Sequence, residues 1–126
     1  MERKQSFGGR IKEIRLSSTP KKTLNNLSAE MGIQLSYLSD VENGRKKPFS
    51  GDKIEQFANI MNISEEEKSE LYDLAARDSD SVPEDIVETI MYTEQGDQAR
   101  IALRLVKEGK GDVEMWKKLI REMEKK

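Results

Sequence analysis

The sequence predicts an all-α protein, with five helices in an amino-terminal domain followed by three in a smaller carboxy-terminal extension. Three observations predict it. Apolar residues recur at helical spacing in one segment after another, no stretch shows the alternation of a strand, and glycine, serine, threonine or aspartate stands where each helix would start or stop. At 126 residues the chain is sized for one domain, or one small domain with an appendage. It contains neither cysteine nor histidine, which excludes disulfides and thiolate metal sites and removes the usual general base and metal ligand. No apolar run approaches the length of a membrane span or a signal-peptide core, so a soluble, cytoplasmic protein with no membrane partner is expected.

The first helix is expected over Phe7 to Leu16, with Phe7, Ile11 and Ile14 inward. After a connection holding Pro20, Lys21 and Lys22, Thr23 can cap a second helix on which Leu24, Leu27 and Met31 form one apolar stripe. Gly32 ends it and Ile33 anchors the turn. Gln34 to Asn43 then make a short third helix with Leu38 and Val41 inward and Leu35, Ser36, Ser39 and Asp40 outward. Gly44 stands at its carboxy-terminal cap, where a left-handed backbone costs glycine least, and Arg45, Lys46 and Lys47 follow before Pro48. Ser50 can cap a fourth helix whose Ile54, Phe57, Ala58 and Met61 keep a core spacing. Ser64 and Glu67 form an S-x-x-E capping box for a fifth, with Leu71, Leu74 and Ala75 buried. The acidic run Glu65, Glu66, Glu67 and Glu70 suits a helix start, whereas neighbouring carboxylates on one helix do not surround a metal ion.

Arg77 to Val82, RDSDSV, is polar and short, and Pro83 after it suits a first helical position. The expected organisation is therefore a domain over residues 1–77, a linker over 78–82 and a helical extension over 83–126. Ile86, Val87, Ile90 and Met91 support the sixth helix, which Gly96 would stop. Asp97 can cap the seventh, carrying Ile101, Ala102, Leu105 and Val106, and Asp112 the eighth, carrying Val113, Trp116, Leu119, Ile120 and Met123. Two such helices bury little by packing only on each other. Ile101, Leu105, Trp116, Leu119, Ile120 and Met123 are accordingly read as a dimer or partner interface. Trp116 is open to two readings, ordinary core packing or the anchor of that interface.

The formal charge of −2 hides a segregation along the chain. Residues 1–50 hold ten basic against five acidic side chains, residues 51–98 three against fourteen, and residues 99–126 nine against five. A polyanion responds to the local field where it docks, so the acidic average does not exclude nucleic-acid binding. A short helix held by two apolar contacts, with a polar row outward and a basic collar behind, matches the physics of major-groove readout.

The stretch MGIQLSYLSDVENGRKKP resembles the signature of the Xre-like regulators, the class of phage Cro and lysogeny repressors. In that family the second helix ends in glycine plus an aliphatic residue and the third ends in Glu-Asn-Gly. The likeness extends from about Phe7 to Ala76: RIKEIR is similar to the family's first helix and KIEQFANIMNIS to its fourth. The resemblance implies a five-helix lambda-repressor-like helix-turn-helix domain and a sequence-specific DNA-binding transcriptional regulator, acting as a repressor that binds a palindromic operator as a homodimer.

Carried over position by position, the resemblance implies base contacts from Gln34, Leu35, Ser36, Ser39 and Asp40. Many relatives carry Ser or Thr where Gln34 stands and Gln or Arg where Leu35 stands, so Leu35 suits a thymine methyl better than a polar base edge. Asp40 has the wrong sign for a polyanion and either accepts from a cytosine amino group, holds an arginine or enforces rejection of other sequences. Thr23, Tyr37, Asn43, Arg45, Lys46 and Lys47 form the backbone-contacting set. Tyr37 either bonds a phosphate or packs. Arg15 and Glu42 match a pair that in relatives ties the first helix to the end of the third; the alternative is a loose surface pair. Met1 to Ser6, with Arg3 and Lys4, reads as a basic arm, either idle or in contact with the minor groove or phosphates. No catalytic residue set, cofactor or metal is expected. Two rival roles also include a protein partner: an antitoxin that represses the operon it shares with a toxin, and an inhibitor that docks through the extension while the helix-turn-helix autoregulates.

Overall fold

A computed structural model describes residues 5–126; the arm residues Arg3 and Lys4 lie outside the described residues. The described helices are α1 (Phe7–Ser17), α2 (Leu24–Met31), α3 (Leu35–Glu42), α4 (Gly51–Met61), α5 (Glu65–Asp78), α6 (Val87–Tyr92), α7 (Glu94–Lys107) and α8 (Val113–Glu124). The chain divides into two compact units, the first ending at Ile86 and the second running from Val87 to Lys126.

In the first unit α1 to α5 surround one core. Phe7, Ile11 and Ile14 of α1, Leu27 and Met31 of α2, Leu38 and Val41 of α3, Ile54 and Phe57 of α4, and Leu71 and Leu74 of α5 are all buried. Phe49, in the segment leading into α4, joins them. Its ring meets the edge of Phe7 at 5.5 Å and lies 6.3 Å from both Phe57 and Tyr37, so the turn after α3 is pinned to the core by an aromatic cluster. Sequence periodicity missed Phe49 because it belongs to no helix.

The start of α1 crosses the end of α3 at backbone contact. A Cβ at Gly8 would run into the carbonyls of Val41 and Glu42, and only glycine leaves room for this approach. On the far side of the core, the Tyr72 hydroxyl of α5 donates to Glu55 of α4 at 2.6 Å, and Lys68 donates to the same carboxylate at 3.0 Å. These two bonds, that from Tyr72 first, hold the Glu55 carboxyl below its ordinary range.

The helix ends follow the sequence in most places. Thr23 accepts from the Asn26 amide at 3.0 Å, and Asn26 returns a bond to the Thr23 amide, closing a capping box with asparagine in the usual place of glutamate. Ser64 and Glu67 close the expected box on α5. Gly32, at φ 67°, and Gly44, at φ 77°, end α2 and α3 in left-handed backbone. Around Gly44 the Arg45 amide reaches the Asp40 carbonyl at 2.8 Å and the Gly44 amide reaches that of Val41 at 3.2 Å, the two bonds of a Schellman motif.

Five boundary expectations are corrected. Ser50 precedes α4 but its hydroxyl makes no capping bond; the Glu84 carboxylate, from 33 residues away, accepts from the Gly51 amide at 3.0 Å instead. The segment expected as a linker over 78–82 stays with the first unit, because Asp78 accepts from the Phe7 amide at 2.9 Å and the Ser81 amide donates to Ala76 at 2.8 Å. Pro83 opens a turn, closed by the Ile86 amide on its carbonyl, and α6 begins only at Val87. Gly96 does not stop α6, nor does Asp97 cap α7: Thr93 caps α7 by accepting from the Gly96 amide at 2.8 Å. Gly96 instead lies within α7, where the carbonyls of Thr89 and Ile90 leave no room for a Cβ, and Asp97 pairs with Arg100 at 2.6 Å.

In the second unit Asp112 caps α8 as expected, accepting from the Met115 amide at 2.9 Å. Among the described residues of this unit no large apolar side chain is fully buried, and Trp116 is only half-buried. Leu105, Val106, Met115, Trp116 and Leu119 line an open apolar cavity of about 390 Å³ between α7 and α8.

A Gly8→Ala substitution is predicted to cost about 1–3 kcal/mol, since the new methyl meets backbone carbonyls that cannot yield without separating α1 from α3. Urea unfolding checks it; an unchanged midpoint would show that the crossing is loose.

Candidate nucleic-acid interface

The interface is built on α2, the three-residue connection Gly32 to Gln34, and α3. An isolated eight-residue helix is not stable in water, so the orientation of α3 has to come from tertiary contacts. Leu38 and Val41 supply the apolar part. The polar part is a buried ion pair: Arg15 Nε donates to Glu42 Oε2 at 2.8 Å and Nη2 donates to Oε1 at 3.0 Å, with the two side chains 7% and 2% exposed. The remaining Arg15 Nη1 donates to the Lys22 carbonyl at 2.9 Å, just before α2. One guanidinium thus joins α1, the entry to α2 and the end of α3, and the loose surface pair is excluded. The planar fork matches a carboxylate with two parallel bonds, which lysine could not reproduce.

The outward face of α3 carries the residues expected to read bases. Gln34 is the residue before the helix, exposed and without a side-chain capping bond, and Leu35 and Ser36 are exposed in the first turn. Ser39 and Asp40 are half-buried one turn later and are engaged with their own chain. Asn43 Nδ2 donates to the Ser39 carbonyl at 2.9 Å and more weakly to its hydroxyl at 3.4 Å, and Arg45 Nε donates to Asp40 at 3.0 Å. Of the three readings of Asp40, the structure contains the arginine partner. The free polar edge is therefore concentrated at Gln34 and Ser36, with Leu35 presenting an apolar surface between them.

Around this row lie the groups expected to meet phosphates. Thr23 and Asn43 are exposed at helix ends, and Arg45, Lys46 and Lys47 project from the turn after α3. Among the described residues, neither Lys46 nor Lys47 has an ion-pair partner. Tyr37 is half-buried against Phe49, which supports its packing role. Two contributors escaped sequence reasoning. Asn26 completes the box at the start of α2, signalled by a T-x-x-N spacing, and Gln56 of α4 ties α4 to α2 by donating to the Met31 carbonyl at 2.9 Å, for which no local signal exists.

Comparison with known families identifies this geometry. The helix-turn-helix family model matches residues 11–68, the span from within α1 to the first turns of α5. Residues 11–68 form an Xre-like helix-turn-helix domain. The matched region contains every base- and backbone-contact candidate, Arg15 and Glu42, so the helix-turn-helix is a DNA-binding regulatory domain and its positioning pair lies inside it. Searches of curated proteins and of solved structures return no match to the chain. No described helix is long and apolar enough to cross a membrane.

Arg15→Met is predicted to destabilise the helix-turn-helix by about 3–5 kcal/mol, because it strands the Glu42 carboxylate in the core without a counter-charge. Pairing it with Glu42→Leu should recover most of that loss in chemical denaturation. A single mutant as stable as the parent would remove the bridge from its structural role.

Proposed function

We propose that the protein is a sequence-specific transcriptional repressor that binds a palindromic operator as a homodimer. The carrying observation is the α3 surface: an exposed edge of Gln34, Leu35 and Ser36, held by the buried Arg15–Glu42 pair, beside two lysines with no ion-pair partner among the described residues. Gln34 can bond an adenine bidentately, Ser36 can bond several base edges, and Leu35 can contact a thymine methyl. Lys46 and Lys47, with the hydroxyl of Thr23 and the amide of Asn43, position the helix through the sugar-phosphate backbone. Repression follows from occupying a promoter, without a chemical step, and the protein works in the cytoplasm where its DNA is.

The homodimer is supported by the second unit. Ile101, Leu105, Leu119, Ile120 and Met123 are each 40–60% exposed, and apolar side chains left this open are what a contact between copies would cover. In this reading Trp116 with its neighbours anchors the contact between copies. The same surface supports the second reading, a toxin or an enzyme held by the extension while the helix-turn-helix controls expression.

Selecting bound sites from random duplexes tests the main reading. Two inverted half-sites with centres about 34 Å apart are expected; enrichment of no sequence, or of a lone half-site, would sink it. A chain ending at Ile86, which keeps the Asp78 and Glu84 bonds, is expected to sediment as a monomer and to bind an operator much more weakly. Undiminished operator binding by that truncate, with loss of a co-purifying protein, would favour the second reading. Lys46→Ala should reduce the salt dependence of DNA binding by about one unit of log–log slope, and an unchanged slope would remove Lys46 from the phosphate contacts.

A further inference from the structure

The chain leaving α5 turns back toward the basic turn after α3. Asp80 adopts a left-handed backbone, φ 53°, and the Asp80 and Ser81 amides close the end of α5 on the carbonyls of Arg77 and Ala76. Residues 78–86 carry four carboxylates, at Asp78, Asp80, Glu84 and Asp85, and no basic side chain. Two open clefts separate this segment from the basic turn. One, of about 750 Å³, has Arg45, Lys46 and Lys47 on one wall and Asp78 and Asp80 on another. The other, of about 270 Å³, is lined by Lys47 and Ser50 together with Ser81 and Glu84.

Glu84 goes further than sharing a cleft. Its carboxylate accepts from the Gly51 amide, where the positive end of α4 favours an anion and where the adjacent Ser50 supplies no capping oxygen. The cations that serve DNA and the carboxylates that oppose it thus lie across the same openings. A phosphate approaching Lys46 or Lys47 enters clefts that carboxylates also line, and a charge acts over about one Debye length, roughly 10 Å, at ordinary salt. Capping of α4 could have been met by Ser50 at no cost to the field over the basic turn, and the chain uses a remote carboxylate there instead.

We propose that residues 78–86 form an acidic strap that restrains DNA binding by opposing the basic turn, with Glu84 as its latch on α4. This rests on the DNA-binding role of the first unit. The strap lowers the attraction of Lys46 and Lys47 for phosphates while it is latched, and its release restores it. Since Val87 follows directly, the strap is also the covalent link between the two units.

The test compares Glu84→Gln, Asp80→Asn and Gly51→Ala with the parent in duplex titration at several salt concentrations and in elution from immobilised heparin. Asparagine suits the left-handed position of Asp80. Alanine suits the start of α4, but its Cβ would stand 2.7 Å from Glu84 Oε2 and push the latch away, which provides a release that keeps every charge. Glu66→Gln, at the start of α5 and away from both clefts, removes the same charge elsewhere. Thermal melting reports whether each variant is folded. The strap predicts duplex binding tighter by about fivefold for Glu84→Gln and Asp80→Asn, the scale on which a nearby charge alters field-driven association. It also predicts later heparin elution, a shift in the same direction for Gly51→Ala, and no shift for Glu66→Gln. Folded variants that bind no tighter than the parent, or an equal gain from Glu66→Gln, would overturn it. Absence of any sequence preference with the shifts retained would instead remove the operator reading and leave the strap standing.

Discussion

The helix-turn-helix depends on one buried ion pair. Placing Arg15 and Glu42 in the core costs several kilocalories per mole of desolvation for each charge, and the cost is offset only because two parallel hydrogen bonds join them and a third satisfies the guanidinium on the Lys22 carbonyl. An apolar pair of similar volume could fill the space, but it would not specify an angle. The fork does, since its donors fit the carboxylate in one plane. Gly8 sets the complementary condition by letting the start of α1 reach the carbonyls at the end of α3. Between these two contacts α3 has little freedom to rotate, which is what a helix that reads base edges requires.

Charge is spent in the same directed way. The molecule is net acidic, yet the turn after α3 keeps two lysines without ion-pair partners among the described residues, while Arg45 is tied to Asp40. The acidic residues of α5 serve its amino-terminus and bind Arg10, whose guanidinium reaches Glu70 at 2.8 Å and Glu67 at 3.6 Å. Those carboxylates stabilise the packing of α1 on α5. After α5, Asp80 and Glu84 instead line clefts shared with the basic turn, so where the chain turns back after Asp80 bears on the field over that turn.

Helices α1 to α5 were legible because each is amphipathic, and α2, α3 and α5 are also bounded by residues with a local reason to be there: Thr23, Gly32, Gly44 and Ser64. The outward row from Gln34 to Asp40 and the basic collar were legible for the same reason, as was the Asp40–Arg45 alternative. Legibility fell between Pro83 and Asp97. There Gly96 looks like a stop, but a glycine that ends a helix and a glycine that lets two helices touch are the same letter. Only the position of the Thr89 and Ile90 carbonyls distinguishes them. Phe49 and Gln56 were missed because their partners are far away in sequence.

By itself the sequence determined the all-helical class, the places of most helices, their apolar faces and the family signature, since all of these follow from side-chain spacing and local backbone preference. Tertiary structure alone decided that Arg15 and Glu42 are buried rather than exposed, that Glu84 rather than Ser50 serves the start of α4, and that the segment after Arg77 stays with the first unit. The physical reason is common to the three. Each rests on a bond between groups remote in the chain, and the energy of such a bond depends on burial and distance, neither of which leaves a periodic trace in the order of residues.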